Sequence, residues 1–294
     1  MFSLRFEEYA RRREQEALAA TLPPYATVVD RVRSDENSRS ADDEWVALGS
    51  EWSKKLFDGP FYQSARAIAP GLPIVNLVFV RSREGNTIAD SPQLLGGGHT
   101  DKHLIYEGLS RVNADAVLSG SITARSRSLV LSVWHPELVK LRLSLGMPRH
   151  PMQVIVTAAG DLHFDEGLMF QESDLHSCLI APSSAVKPLR VRAAGVPWVD
   201  IIDAGEPLSL RRGLEQLAER GVHVVSAIGG RRTSQALLEE RTVADLYLTT
   251  SSISAGLPET PFYRGPELPL QLVVEKRGTG PEAGVRFEHF RVVA

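Results

Sequence analysis

A single cysteine, Cys178, stands in 294 residues, which excludes an internal disulfide framework and any cysteine-built zinc cage. It lies in an apolar, strand-like run where a small buried thiol is expected, and the scarcity of thiols fits a reducing, cytoplasmic setting. No apolar run approaches the ~20 residues that a membrane span needs. The N-terminus lacks the apolar core of a signal peptide, and its glutamates argue against a transit peptide. Neither sign of charge dominates: a net charge of −3 gives no general pull toward nucleic acid or an anionic membrane. No basic stripe is interleaved with aromatics. Gly-x-Ser-x-Gly and Gly-x-x-x-x-Gly-Lys are both missing, which leaves hydrolase and nucleotide triphosphatase readings without support. Repeats and low-complexity tracts are missing as well.

What is present is the composition of a globular protein with ample core: 43% hydrophobic and 23% charged residues. Two regions differ in texture. Residues 1–71 read as a helical N-terminal extension. Residues 3–20 form one helix, its basic triplet Arg11–Arg13 balanced by glutamates, and Pro23 and Pro24 stop it. Ser34 to Asp43 is polar and reads as a loop. A second helix starts at Asp42, Asp43 and Glu44 and ends near Lys54 and Lys55. It places Trp45, Leu48, Trp52 and Leu56 on one stripe that must cover the main domain or a partner subunit.

From residue 72 short apolar runs alternate with helical segments. Strands are expected at Ile74–Val80, Ala114–Ser119, Val154–Thr157, Cys178–Ala181, Trp198–Ile202, Val222–Ile228 and Asp245–Thr250. Ser91–Thr100, with Gly96, Gly97 and Gly98, reads as a flexible loop, and Asp101 as the cap of the helix after it. Ser209 can cap a helix that Gly221 ends. Two apolar arms, Leu268–Glu275 and Val285–Val293, close the chain as a hairpin. Strand and helix in alternation, then antiparallel strands, specify an α/β fold: a mostly parallel sheet flanked by helices with an antiparallel C-terminal edge.

Two strands end in glycine turns. One is Gly229-Gly230, followed by the helix Arg231–Glu240, which Thr233 or Ser234 can cap; the other is Gly120-Ser121-Ile122-Thr123. A strand that turns through glycine into a helix presents free N–H groups and the positive end of the helix dipole to an anion. The same pattern is also how an ordinary strand passes into a helix. Two such turns at one crevice suit a pyrophosphate better than either does alone. His99 and His103 have the i, i+4 spacing of a metal chelate, but no third ligand stands nearby and no metal is expected. His99 beside the glycines is a candidate substrate contact or a surface histidine.

The ordered motifs resemble those of a known family. Ser82-Arg83-Glu84-Gly85 with Asn86-Thr87-Ile88-Ala89 stands where it has Ser-Leu-Asp-Gly; Ala114-Asp115-Ala116-Val117-Leu118-Ser119-Gly120-Ser121-Ile122-Thr123 matches its Ala-Asp-Ala-Ile-Leu-Val-Gly-x-x-Thr. Ile228-Gly229-Gly230 stands in place of Glu-Gly-Gly, and Ala244-Asp245-Leu246-Tyr247-Leu248-Thr249 follows. From about Pro73 to Phe262 the chain resembles the reductase domain of the riboflavin-pathway deaminase–reductase and its stand-alone pyrimidine reductase relatives, which share the dihydrofolate reductase fold. That resemblance implies NADPH as hydride donor. Gly120 and Thr123 would bind it at one turn, Gly229, Gly230 and Thr233 at the other, and Thr157 near the adenosine end. Arg125, Arg127, Arg231 and Arg232 are candidates for the 2′-phosphate. It further implies a ribosylaminopyrimidine phosphate as substrate, with Ser82 contacting it and Glu84 as the catalytic acidic residue near it, and a homodimer.

The departures concern the substrate. Glu84 replaces aspartate, Arg83 adds a charge, and Ile228 removes a carboxylate. Ile-Gly-Gly is how dihydrofolate reductases write this turn, with the apolar side chain against the rings. Reduction of a pterin-like heterocycle, and a nucleotide-binding relative without turnover, therefore stand beside the pyrimidine reductase reading.

Overall fold

The structure is a computed structural model that describes residues 2–20, 29–34, 45–158, 160–228 and 230–293. Among the described residues twelve strands appear in chain order: β1 (Val29–Ser34), β2 (Trp45–Leu48), β3 (Phe61–Ser64), β4 (Ile74–Arg81), β5 (Ala116–Gly120), β6 (Met152–Val156), β7 (Ser177–Ala181), β8 (Val199–Asp203), β9 (Val224–Ile228), β10 (Asp245–Thr250), β11 (Leu270–Gly278) and β12 (Arg286–Val292). Ten of them form one sheet in the order β1-β11-β12-β10-β4-β9-β5-β6-β7-β8. From β10 to β8 every pairing is parallel; β12, β11 and β1 continue it antiparallel. The mostly parallel sheet with an antiparallel C-terminal hairpin is the fold class read from the sequence.

Alternation along the strands divides the core between the two faces of the sheet. On one face Val78, Ile228 and Tyr247 pack with Leu104, Ile105 and Leu109. On the other, Leu77, Phe79, Leu118 and Leu246 meet Leu214 and Leu217 of the helix Leu210–Glu219 and Leu237 of the helix Arg231–Glu239. Ser209 caps the first of these through Arg212 N, and Gly221 follows its end at φ 85°.

The motif aspartates hold strands together. Asp115 Oδ2 accepts from His223 N at 2.8 Å and Val224 N at 2.9 Å, which fixes β9 against β5. Asp245, fully buried, accepts from Ser64 N at 2.8 Å, Ser64 Oγ at 2.9 Å and His289 Nε2 at 3.0 Å. These bonds tie β3 to the central strand β10.

Several expectations are corrected. The helix read over 42–55 is a strand followed by a short helix: Trp45–Leu48 pairs antiparallel with Phe61–Ser64, and only Glu51–Leu56 is helical, capped by Ser50. Asp42, Asp43 and Glu44 lie outside the described residues, as do Pro23, Pro24 and positions 35–43 of the expected loop. The tryptophans do not share a helical stripe; Trp52 stacks on His135 at 4.6 Å, whereas Trp45 meets His289 edge-on. Ser34 belongs to β1, which pairs with β11. The helix Leu4–Ala19 is as expected, but Arg13 turns inward to Glu107 at 2.5 Å.

The glycine loop also holds more structure than expected, with a 3-10 turn at Pro92–Leu95 and a helix that begins at Gly98 and runs π-helically over Asp101–Leu109. Asp101 therefore lies inside that helix and does not cap it. The capping acceptor comes from elsewhere: Glu282 Oε1 accepts from Thr100 N at 3.1 Å.

Candidate functional site

The chain runs outward from β5 to β8, then returns to place β9 between β4 and β5, with β10 on the far side of β4. The order reverses there, so the carboxyl ends of β4, β9 and β5 open onto the crevice where sheets of this kind hold ligands.

Both glycine turns lie at that point. β5 and β9 are parallel neighbours, with Leu118 opposite Ala227, so their carboxyl ends emerge side by side. A Cβ on Gly120 would stand 3.1 Å from Thr233 Oγ1, and one on Gly230 would stand 3.7 Å from the same oxygen. Gly230 has φ 96°, a conformation that favours glycine. The turns thus converge on one hydroxyl and leave between them a cradle that side chains would fill. Gly229 lies outside the described residues.

Neither Thr233 nor Ser234 caps the helix after the second turn, a correction to the sequence reading. Gly230 is the N-cap, and Ser234 Oγ donates to Arg231 O and Phe262 O, both at 3.0 Å. The helical ladder begins with Ser234 N donating to Gly230 O. The N–H groups of the first turn point along the axis toward the cradle, with the positive end of the helix dipole. Such a cradle fits a pyrophosphate. Arg231 and Arg232 stand in this first turn, and among the described residues no carboxylate lies within ion-pair distance of either. Arg125 and Arg127 are already paired, with Asp161 at 2.9 Å and Glu166 at 2.5 Å. Thr123 belongs to the short helix Ser121–Ala124 that leaves the first turn.

Thr157 is buried at the end of β6, where its hydroxyl accepts from Gly160 N at 2.8 Å. It shapes the turn. Beside it Ala158, Gly160, Ser184 and Arg192 line a cavity of about 240 Å³.

At the ends of β4 and β10 a cleft of about 740 Å³ is lined by Arg81, Glu84, Asn86, Ser254, Thr260 and Phe262. Ser82 is buried beneath it, accepting from Asn86 N at 3.2 Å and so closing the turn. Glu84 is 42% exposed and bonded to Ser254 Oγ and, at 3.3 Å, to Arg83 Nε. The Ser254 hydroxyl foremost, with Arg83, holds its carboxyl below the usual range, so at neutral pH it is an anion that accepts hydrogen bonds.

Ile228 is buried on the opposite face, in register with Val78. One step further along that face, Thr249 lies in register with Val80. Over this pair sits a residue that the sequence reading gave no site role, Asp101. It is 7% exposed, and burial pushes its carboxyl up to about 7 although the Thr249 hydroxyl opposes the rise. The only sequence signal for it is an acid soon after a glycine triplet. His99 is exposed, its ring parallel to His103 at 6.0 Å; burial foremost lowers its pKa. His103 is buried, with Nδ1 3.4 Å from Glu107 Oε2.

Compared with protein-family models and with curated protein sequences, the chain matches none. Solved structures do share its fold. A pyrimidine reductase-like protein of Corynebacterium diphtheriae superposes with a TM-score of 0.63 at 19% identity, over 76% of this chain and 92% of that one. The riboflavin biosynthesis reductase of Saccharomyces cerevisiae gives 0.54 at 16%, over 78% and 93%. The diaminohydroxyphosphoribosylaminopyrimidine deaminase/5-amino-6-(5-phosphoribosylamino)uracil reductase of Thermotoga maritima gives 0.56 at 18%, over 76% of this chain and 57% of that one. This chain therefore spans little more than half of the bifunctional protein. At these identities the likeness is one of fold, and it is the fold to which the ordered motifs pointed.

Proposed function

We propose that the protein is an NADPH-dependent reductase of the pyrimidine reductase type, acting on a ribosylaminopyrimidine phosphate or a similar substrate. The observation that carries this reading is the convergence of the Gly120 and Gly230 turns on Thr233 at the carboxyl ends of adjacent strands. That cradle would hold the cofactor pyrophosphate, with Arg231 and Arg232 beside it for a further phosphate. A dihydronicotinamide bound there supplies a hydride to an electrophilic carbon. The protein's part is alignment and exclusion of water. Ile228, buried in the core against Val78, backs the end of β9 without a carboxylate, and Ser82 holds the turn that carries Glu84. Glu84, ionised at the cleft, would accept from substrate hydroxyl or amino groups.

The buried, apolar Ile228 also favours a second reading, a flat pterin-like heterocycle as substrate. Titration of NADPH and NADH fluorescence tests the cofactor assignment: NADPH binds more tightly. Assays with the ribosylaminopyrimidine phosphate and with dihydrofolate then separate the two substrates. Glu84→Ala keeps cofactor affinity and lowers turnover tenfold or more. Absence of binding at millimolar cofactor would sink the reductase reading.

A further inference from the structure

The guanidinium of Arg81 has more donors than partners. Arg81 ends β4 and lies in one row with Thr250 of β10 and Arg286 of β12. Among the described residues the one hydrogen bond of its side chain runs from Nε to Thr250 Oγ1, at 2.9 Å. That hydroxyl donates in turn to Glu288 Oε2 at 2.7 Å. Glu288 stands 3.6 Å from Arg81 Nη2 and 3.9 Å from Arg286 Nη1, distances of ion pairs and not of hydrogen bonds. One carboxylate therefore answers two cations. A positive charge is left over in this row, and among the described residues both terminal amino groups of Arg81 are without a hydrogen-bond acceptor.

The leftover charge stands at a cleft large enough for a ligand. Arg81, its side chain 27% exposed, lines the cleft of about 740 Å³ together with Glu84 and the segment 254–262. Of the acids there, Glu84 is paired with Arg83 at 3.3 Å, and Glu259 is open to solvent. Phe262, which also lines the cleft, packs on Phe79, and its carbonyl accepts from Ser234 Oγ at 3.0 Å. Ser234 belongs to the helix that Gly230 opens, so the cleft and the glycine cradle are neighbours.

Resting on the reductase reading, we propose that Arg81 binds the phosphate group of the substrate and so selects phosphorylated over unphosphorylated compounds. The planar fork of a guanidinium matches two phosphate oxygens, and a half-buried one is less screened by water than an exposed one. Thr250 fixes the plane of that fork through Nε, so the amino groups are in place before the ligand arrives. Glu84 lines the same cleft and meets hydroxyl or amino groups of the same molecule. Arg81 is thus a specificity-determining residue: it holds the substrate by a group that takes no part in hydride transfer.

The probe is ribose 5-phosphate, titrated against the full chain and followed by ³¹P NMR. Arg81→Gln raises its Kd about tenfold or more, and Arg81→Lys, which keeps the charge without the fork, raises it severalfold. Denaturation midpoints show that the variants fold; should Arg81→Gln fail to, Arg81→Lys carries the test. In assays with NADPH and the ribosylaminopyrimidine phosphate, Arg81→Gln raises KM about tenfold or more, while kcat changes by less than about threefold. NADPH affinity stays within a factor of about two. With the dephosphorylated substrate, wild type and variant behave alike, a split that a merely structural role would not produce. A Kd for ribose 5-phosphate, or a KM for the phosphorylated substrate, that neither variant moves overturns the proposal. Failure of the wild type to bind reduced cofactor overturns the reductase reading alone, and Arg81-dependent affinity for ribose 5-phosphate then still marks a phosphate site.

Discussion

Thr233 Oγ1 lies 3.1 Å from the point where a β-carbon on Gly120 would stand, so one hydroxyl from the helix after β9 occupies the floor of the turn after β5. Strand, turn and helix from segments more than a hundred residues apart thereby share one small surface.

Gly120 has φ −80°, which alanine adopts without strain. The backbone thus accepts alanine, but its methyl would press on Thr233 Oγ1 at 3.1 Å, so Gly120→Ala should lower the unfolding free energy by no more than about 1 kcal/mol. The same methyl group intrudes on the cradle, so affinity for NADPH should fall about tenfold, roughly 1.4 kcal/mol. Fluorescence titration and chemical denaturation on the same preparation check the pair of effects; unchanged affinity would remove this turn from the cofactor site.

His135 caps the helix Pro136–Ser144, its Nδ1 accepting from Glu137 N at 3.2 Å, and burial pulls the ring down to about 4 from an ordinary 6.5. Between those two values the unfolded state binds the additional proton, so stability is full above about 6.5 and is lost as pH falls toward 4. Denaturation midpoints at pH 7.5 and pH 5 should show that loss, and His135→Asn, which keeps a capping acceptor, should reduce it. Equal slopes in both proteins would place the loss elsewhere.

Asp101 behaves with the opposite sign. Its folded carboxyl titrates at about 7, above the ordinary 3.8, so the unfolded state releases its proton first and folding is weakened as pH rises from about 4 to 7. Asp101→Asn should match the wild type near pH 4 and exceed its stability at pH 8. A mutant no more stable at pH 8 contradicts this assignment.

Removal of the Asp245 carboxylate leaves His289, Ser64 Oγ and Ser64 N without their acceptor in a fully buried place. Asp245→Ala should cost about 3 kcal/mol or more in chemical denaturation. A loss under about 1 kcal/mol would show that the cluster relaxes or admits water.

The sequence carried most of this fold because its signals are local. Apolar runs from Ile74 to Thr250 mark strands, and Ser209 and Gly221 bracket a helix. It failed where partners are distant. Trp45 and Leu48 fit a helical period only because the positions of an isolated four-residue strand are too few to show alternation. Phe61–Ser64, its partner, carries no turn signal of its own. The glycine turns of the site were legible as a pattern, and their convergence on Thr233 follows from strand order. Asp101 and Glu282 were not legible as a pair, since only the hairpin return brings position 282 to the helix at 98. Asp115 and Asp245, conspicuous within family-like motifs, serve strand pairing and not the crevice.

β1 lies along the outer side of β11 and pairs with it from Val29–Gly278 to Ser34–Val274. A chain shortened to begin at residue 72 would leave Leu270–Gly278, nine residues long, with its outward N–H and C=O groups bare. Such an open margin is a template for pairing with another molecule. β1 thus covers the margin of β11 and hands the sheet's edge from nine residues to its own six, so a chain trimmed to its recognisable motifs would gain a longer flank open to pairing.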